Sequence, residues 1–214
     1  MNSLESDLRR ALLSGRFLLA VLAELLVLWL QGPDSTLHKM CVPVLCALPY
    51  AGAWLDEYKS GFVKLALVRG SRRGYILGKY LACGLSGGGA EALGAWLWGL
   101  LKSWQAGGEG QGTDCDIGLL FLSGVVWSCV PAVLAALSNS KYLAYGGGFV
   151  LYYFLVILAE RYWTGLYCLY PYEWLAPKHV WVMGSRGLVW MLLLVVLVLG
   201  MCYWLILERS LENG

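Results

Sequence analysis

The chain has 214 residues, of which 59% are hydrophobic and only 14% charged, with mean hydropathy +0.62 and a formal net charge of +2. A soluble domain carries about 25% charged residues, so this composition excludes an ordinary water-soluble domain and points to one compact membrane domain over 1–214. Glycine (27) and tryptophan (11) are both abundant, as membrane helices and their interfacial belts explain.

Residues 4–14 open the chain as an amphipathic helix, with Leu4, Leu8, Ala11 and Leu12 on one face and Glu5, Arg9 and Arg10 polar; such a helix lies at a membrane surface or starts the first span. The first span is expected over 17–31. No small-residue cleavage site follows it, only QGPDST, so no cleaved signal is expected. A short second span over 40–55 carries Pro43 and Pro49. The third covers 76–101, the fourth 117–138, the fifth 142–159 and the sixth 187–207; the fourth and sixth contain no charge. Spans one and two are short against the roughly 20 residues that cross a bilayer, which tilt or local thinning accommodates. Between spans three and four, 103–116 reads as a flexible polar loop. Between five and six, 160–186 is rich in aromatic residues and reads as short helices dipping into the outer leaflet.

Six spans place both ends on one side. If 1–16, 56–79, 139–141 and 208–214 face the cytoplasm, only Lys39, Lys102, Arg161, Lys178 and Arg186 of the 16 Lys and Arg lie outside. The excess of basic residues in cytoplasmic loops then fixes the orientation.

No catalytic constellation emerges. His38 and His179 both fall in outer loops without metal-ligand spacing, and Gly78-Lys79 lacks the first glycine of a phosphate-binding loop. The seven cysteines form no CxxC pair. Cys115 and Cys168 fall in outer loops, where a bond between them is open. No metal, no resident cofactor and no nucleic-acid partner is expected. Two acids stand out, Glu24 and Glu91, each near the middle of a span with no Lys or Arg at its depth. A charge there costs several kcal/mol unless it is protonated, paired or hydrated. Glu91 shares a helical face with Gly84, Gly87, Gly88 and Gly94, which permits close helix contact. Each acid is either a protonated group bonding across a helix interface or a substrate or proton site. The segment 57–73 alternates basic and apolar residues, as a surface helix on anionic lipid or a docking helix for a cytoplasmic partner would.

LRRALLSGRF (8–17), the stretch 48–88 from LPYAGAWLDEYKSG to LACGLSGG, LSNSKYLA (137–144) and YPYEWLAP (170–177) together resemble the permease subunits of type-2 ATP-binding-cassette (ABC) transporters, the small six-span kind of Gram-positive bacteria. The resemblance implies an all-α six-span membrane protein with an N-terminal elbow helix (4–14), a cytoplasmic coupling region (56–75) and outer re-entrant helices before span six (160–186). It places Glu57, Lys59, Phe62, Arg69, Arg72 and Arg73 in the coupling region, and Tyr170, Pro171, Tyr172, Glu173 and Trp174 in the outer region. It also implies no catalytic residue in this chain, ATP and Mg bound by a separate cytoplasmic ATPase, a second permease as partner, export as the direction and a bacterial plasma membrane as the location. Rival readings are the substrate-capturing membrane subunit of a vitamin importer, a membrane-embedded hydrolase, and a non-transporting immunity or structural protein. The sparse polar residues of the spans argue against the first, and the lack of a His or Ser/Lys constellation in them argues against the second.

Overall fold

A computed structural model describes residues 3–69, 71–105, 116–163, 165–179, 181 and 184–212. Among these every regular element is helical: α1 (Ser3–Leu12), α2 (Gly15–Gln31), α3 (Thr36–Ala47), α4 (Ala53–Lys59), α5 (Phe62–Arg69), α6 (Arg72–Gln105), α7 (Ile117–Ser138), α8 (Lys141–Arg161), a 3-10 turn (Tyr167–Leu169), α9 (Pro171–Leu175) and α10 (Ser185–Glu212). Most of the expected loop 103–116 lies outside the described residues, as does Cys115, whose bond to Cys168 the sequence leaves open.

Three of these helices, α7, α8 and α10, are long and apolar enough to cross a membrane by length and composition. The pair α1–α2, bent by 48° at Leu13–Ser14, makes a fourth if taken as one span. Helix α3 is apolar but has 12 residues, and α6 has 34 residues diluted by glycine.

The expected second span, 40–55, is not one helix. It begins earlier, at Thr36, and stops at Ala47 before a turn that includes Pro49; α4 starts again at Ala53. Likewise 57–73 is broken at Ser60–Gly61, where Gly61 has φ +73°, a left-handed conformation that glycine adopts without a Cβ penalty.

Local signals set the other ends. Ser14 Oγ accepts from Phe17 N–H to start α2, and Gly32 N–H closes it on Leu28 O. Ser35 Oγ accepts from His38 N–H at the start of α3, and Asp116 accepts from the Gly118 and Leu119 N–H groups at the start of α7. Such caps satisfy backbone donors that have no partner inside the helix.

Helix α7 is central and packs on α6, α8, α10 and α3. Its contact with α6 runs through glycine: a Cβ on Gly88 would lie 2.6 Å from Phe121 O, and one on Gly124 2.9 Å from Gly88 Cα. On the same α6 surface a Cβ on Gly87 would lie 2.7 Å from Cys46 O of α3, and one on Gly94 2.5 Å from Glu24 Cγ of α2. The small-residue face of α6 therefore seats three helices of its own chain at backbone distance.

Four segments converge at one end of the bundle. Arg10 of α1 reaches Glu57 of α4, Asp56 pairs with Arg16 and with Lys141 at the start of α8, and Arg72 at the start of α6 pairs with Glu212 at the end of α10. These are the segments that hold the basic excess.

Candidate functional site

The two mid-helix acids meet. Glu24 from α2, His38 from the first turn of α3 and Glu91 from α6 point into one buried space, each 1% exposed. His38 Nε2 lies 2.7 Å from Glu24 Oε1 and 3.2 Å from Glu91 Oε1. Its Nδ1 lies 3.0 Å from the Pro33 carbonyl oxygen. The Cys46 thiol donates to Glu91 Oε2 at 3.6 Å. Glu24 Oε2 is buried without a hydrogen-bond partner.

Each side chain is held by its helix. Gly94 leaves room for Glu24. The Ser35 cap holds the backbone of His38, and the Pro33 carbonyl holds its ring. A carbonyl only accepts, so Nδ1 carries a hydrogen and Nε2 is the atom turned to the two carboxylates. Nε2, Glu24 Oε1 and Glu91 Oε1 are all acceptors when the imidazole is neutral and both acids are ionised. The cluster therefore requires a cation at its centre, either a proton or a metal ion. The three side chains offer one donor atom each, all within 4.8 Å of one another.

Sequence reasoning singled out Glu24 and Glu91 and left both without a basic partner. It set His38 apart in an outer loop and expected no metal ligands. The structure corrects that placement: α3 begins at Thr36, and its first turn carries His38 inward. The ligand types lie 14 and 53 residues from His38 in sequence, so no local spacing reveals them.

A second buried polar centre lies 12 residues earlier on α6, about 18 Å away along the helix at 1.5 Å per residue. Lys79 Nζ, 2% exposed as a residue, donates to Glu57 Oε1 at 2.6 Å, Asp7 Oδ1 at 2.8 Å and the Tyr50 hydroxyl at 2.9 Å. Tyr50 in turn donates to Asp7 Oδ1, and Tyr75 to Glu57 Oε2. All three ammonium hydrogens are used, and α1, the 48–52 turn, α4 and α6 are pinned to one another.

Of the residues expected in the coupling region, Glu57 belongs to this buried hub. Arg72 is half-buried and donates to the Glu208 carbonyl of α10. Lys59, Phe62 and Arg73 are exposed, with Arg10 lying over the Phe62 ring at 5.6 Å. Arg69 closes α5, and its side chain lies outside the described residues. Leu65 and Val68 of α5 are 62% and 87% exposed.

At the opposite end, Pro171, Glu173 and Trp174 are buried and Tyr170 and Tyr172 half-buried. Trp174 stacks on Trp127 of α7 at 5.5 Å, and its Nε1–H donates to Cys168 O. Lys39, next to His38, sits over the Tyr172 ring at 5.5 Å, so α9 lies against the start of α3. Glu173 accepts from the Lys178 and His179 N–H groups and from the His179 ring. Burial alone would raise its pKa, but these donors together hold the carboxyl below the usual carboxylate range.

Comparison with protein-family models, with curated proteins and with solved structures gives no significant match.

Proposed function

We propose that the chain is the membrane-spanning permease subunit of an ATP-driven ABC transporter working as an exporter. In this reading α2, α3 with α4, α6, α7, α8 and α10 form six spans in a bacterial plasma membrane. Both termini are cytoplasmic, α1 is the elbow helix and α9 belongs to the outer re-entrant region. ATP and Mg are bound by a separate ATPase, and a second permease completes the pair.

The observation that carries the reading is the Lys79 hub beneath α5. Phe62, Leu65 and Val68, at one helical face of α5, are exposed, as are Lys59 at the end of α4 and Arg73 at the start of α6, at the end where the basic segments converge. Lys79, Glu57 and Asp7 join α1 and α4 to the 34-residue α6 through buried ion pairs. Movement of a partner docked on α5 would pass through the neighbouring α4 to α6, because separating α4 from α6 breaks the buried Lys79–Glu57 pair, at about 3–5 kcal/mol. α6 in turn packs against α2, α3 and α7. A push at one end thus biases the bundle between two arrangements, as alternating transport requires.

The test is purification of the tagged chain from its native membranes in a mild detergent. An ABC ATPase should be retained at a fixed ratio and lost on reversing Lys59 and Arg73 to glutamate. Full recovery of a folded chain that holds no ATPase overturns the proposal.

A further inference from the structure

The Glu24–His38–Glu91 cluster is built as a ligand set. Three features separate it from a pair of buried acids. Its imidazole is oriented by the Nδ1–H to Pro33 carbonyl bond of 3.0 Å. Metal-bound histidines make this bond with their second ring nitrogen, and it aims the Nε2 lone pair at the ion. Glu91 is likewise held from behind, by the Cys46 thiol at its other oxygen. Glu24 Oε2, finally, is an acceptor in a 1% exposed residue with no hydrogen-bond donor, a cost of burial that is lowered when a cation bound at the same carboxylate neutralises it.

Charge and partners together favour a metal ion over protons. A neutral imidazole and two carboxylates sum to −2. One proton on Nε2 leaves −1 in a buried space, with a single N–H serving two carboxylates; a second proton cancels the charge, but on Glu24 Oε2 it would find no acceptor. A divalent ion brings the sum to zero and gives each acceptor a partner. Lys39, the sequence neighbour of His38, does not supply the charge, since its ammonium is over the Tyr172 ring. Spacing agrees. Ligand atoms about 2 Å from a tetrahedral zinc ion stand roughly 3.3 Å apart. The Nε2 to Glu91 distance is 3.2 Å, and the 2.7 Å contact with Glu24 has to open by roughly half an ångström to admit the ion.

We infer that Glu24, His38 and Glu91 form a buried binding site for a divalent transition-metal ion of the zinc type, clamping α2, α3 and α6. The set of one imidazole and two carboxylates suits Zn2+ over Mg2+ or Ca2+, which prefer oxygen alone. Three protein ligands leave one position of the tetrahedron for water or another group. The inference is independent of the transport reading, because it concerns only these three side chains.

The experiment uses the full chain in detergent, stripped with chelator, passed through gel filtration and titrated with Zn2+ against a chromophoric competitor. One Zn2+ per chain is expected. Co2+ in its place should give the visible bands of a tetrahedral nitrogen–oxygen site. His38→Ala and Glu24→Gln should each weaken binding at least tenfold, while His179→Ala, at the exposed outer histidine, should leave it unchanged. Glu24→Gln keeps the shape of the cluster, so it remains informative if His38→Ala fails to fold. Wild-type protein that takes up no Zn2+, as a cluster holding only a proton would, overturns the inference. Equal binding by wild type and the folded Glu24→Gln variant does so too.

Discussion

Lys79 Nζ lies 2.6 Å from Glu57 Oε1, buried between α4 and α6, although both residues belong to the basic stretch 56–79 that the sequence places on the cytoplasmic side. The pair is completed by Asp7 from α1 at 2.8 Å. Lys79 is therefore part of the packing and not of the basic surface. Lys79→Met should leave buried Asp7 without its cation and Glu57 with only the exposed Arg10, at up to about 3–5 kcal/mol, the cost of breaking a buried ion pair. Thermal unfolding in detergent measures it. Lys59→Met, at an exposed neighbour, should leave the midpoint unchanged, and a Lys79→Met variant as stable as that control would show that the hub contributes nothing.

The glycines of α6 divide sharply by what faces them. A Cβ on Gly94 would lie 2.5 Å from Glu24 Cγ and 2.8 Å from its Cβ, whereas the nearest atom to one on Gly89 is Phe17 Cε2 at 3.8 Å. Gly94→Ala should destabilise by about 1–3 kcal/mol through overpacking. Gly89→Ala should be neutral or stabilise by up to about 1 kcal/mol, the helix propensity difference. Compared side by side, the Gly94→Ala midpoint falls and the Gly89→Ala midpoint does not if α2 and α6 meet as described.

Much of the helical layout was legible because apolar runs set it directly. The fourth apolar run coincides with α7 at 117–138, and the fifth, 142–159, falls within α8. What stayed hidden depends on tertiary contact. Pro49 and Gly52 mark the break at 48–52, but nothing local shows that the Tyr50 hydroxyl there meets Asp7 and Lys79. Glu24 and Glu91 were conspicuous as buried acids, yet their partner was missed because His38 lies so close to the loop at 32–35. The signal was nonetheless present: Ser35 is a helix cap, and a cap there puts His38 one turn inside a helix.

Glu173 gives the outer aromatic region a pH dependence of known sign. Its carboxylate accepts two backbone N–H groups and the His179 ring, and its pKa is lowered in the folded protein. A depressed carboxylate stabilises the fold above the ordinary carboxylate pKa, about 4.3. That stability is lost as pH falls through the lower folded value. Packing of Trp174 on Trp127, followed by tryptophan fluorescence, should therefore loosen only on acidification below about pH 4. Glu173→Gln should make the region weaker at neutral pH and remove this acid limb. An acid limb that persists in Glu173→Gln would assign the dependence to another group.

The basic residues near α5 should separate by what they touch. Arg72 donates to the Glu208 carbonyl and pairs with Glu212, so it ties the start of α6 to the end of α10. Lys59 and Arg73 are exposed. Arg72→Glu should thus lower the stability of the isolated chain, by about 1–3 kcal/mol for a broken charge-assisted hydrogen bond, and any loss of ATPase association would follow from that. On the proposed transport reading, Lys59→Glu with Arg73→Glu should leave the isolated chain as stable as wild type and still reduce ATPase retention, by a margin against wild type that shrinks with added salt, since salt screens exposed charges. Thermal midpoints and ATPase recovery measured on the same preparations distinguish the two effects. If the double variant retains its ATPase fully while Arg72→Glu loses it only in proportion to lost fold, the docking surface lies elsewhere than on Lys59 and Arg73.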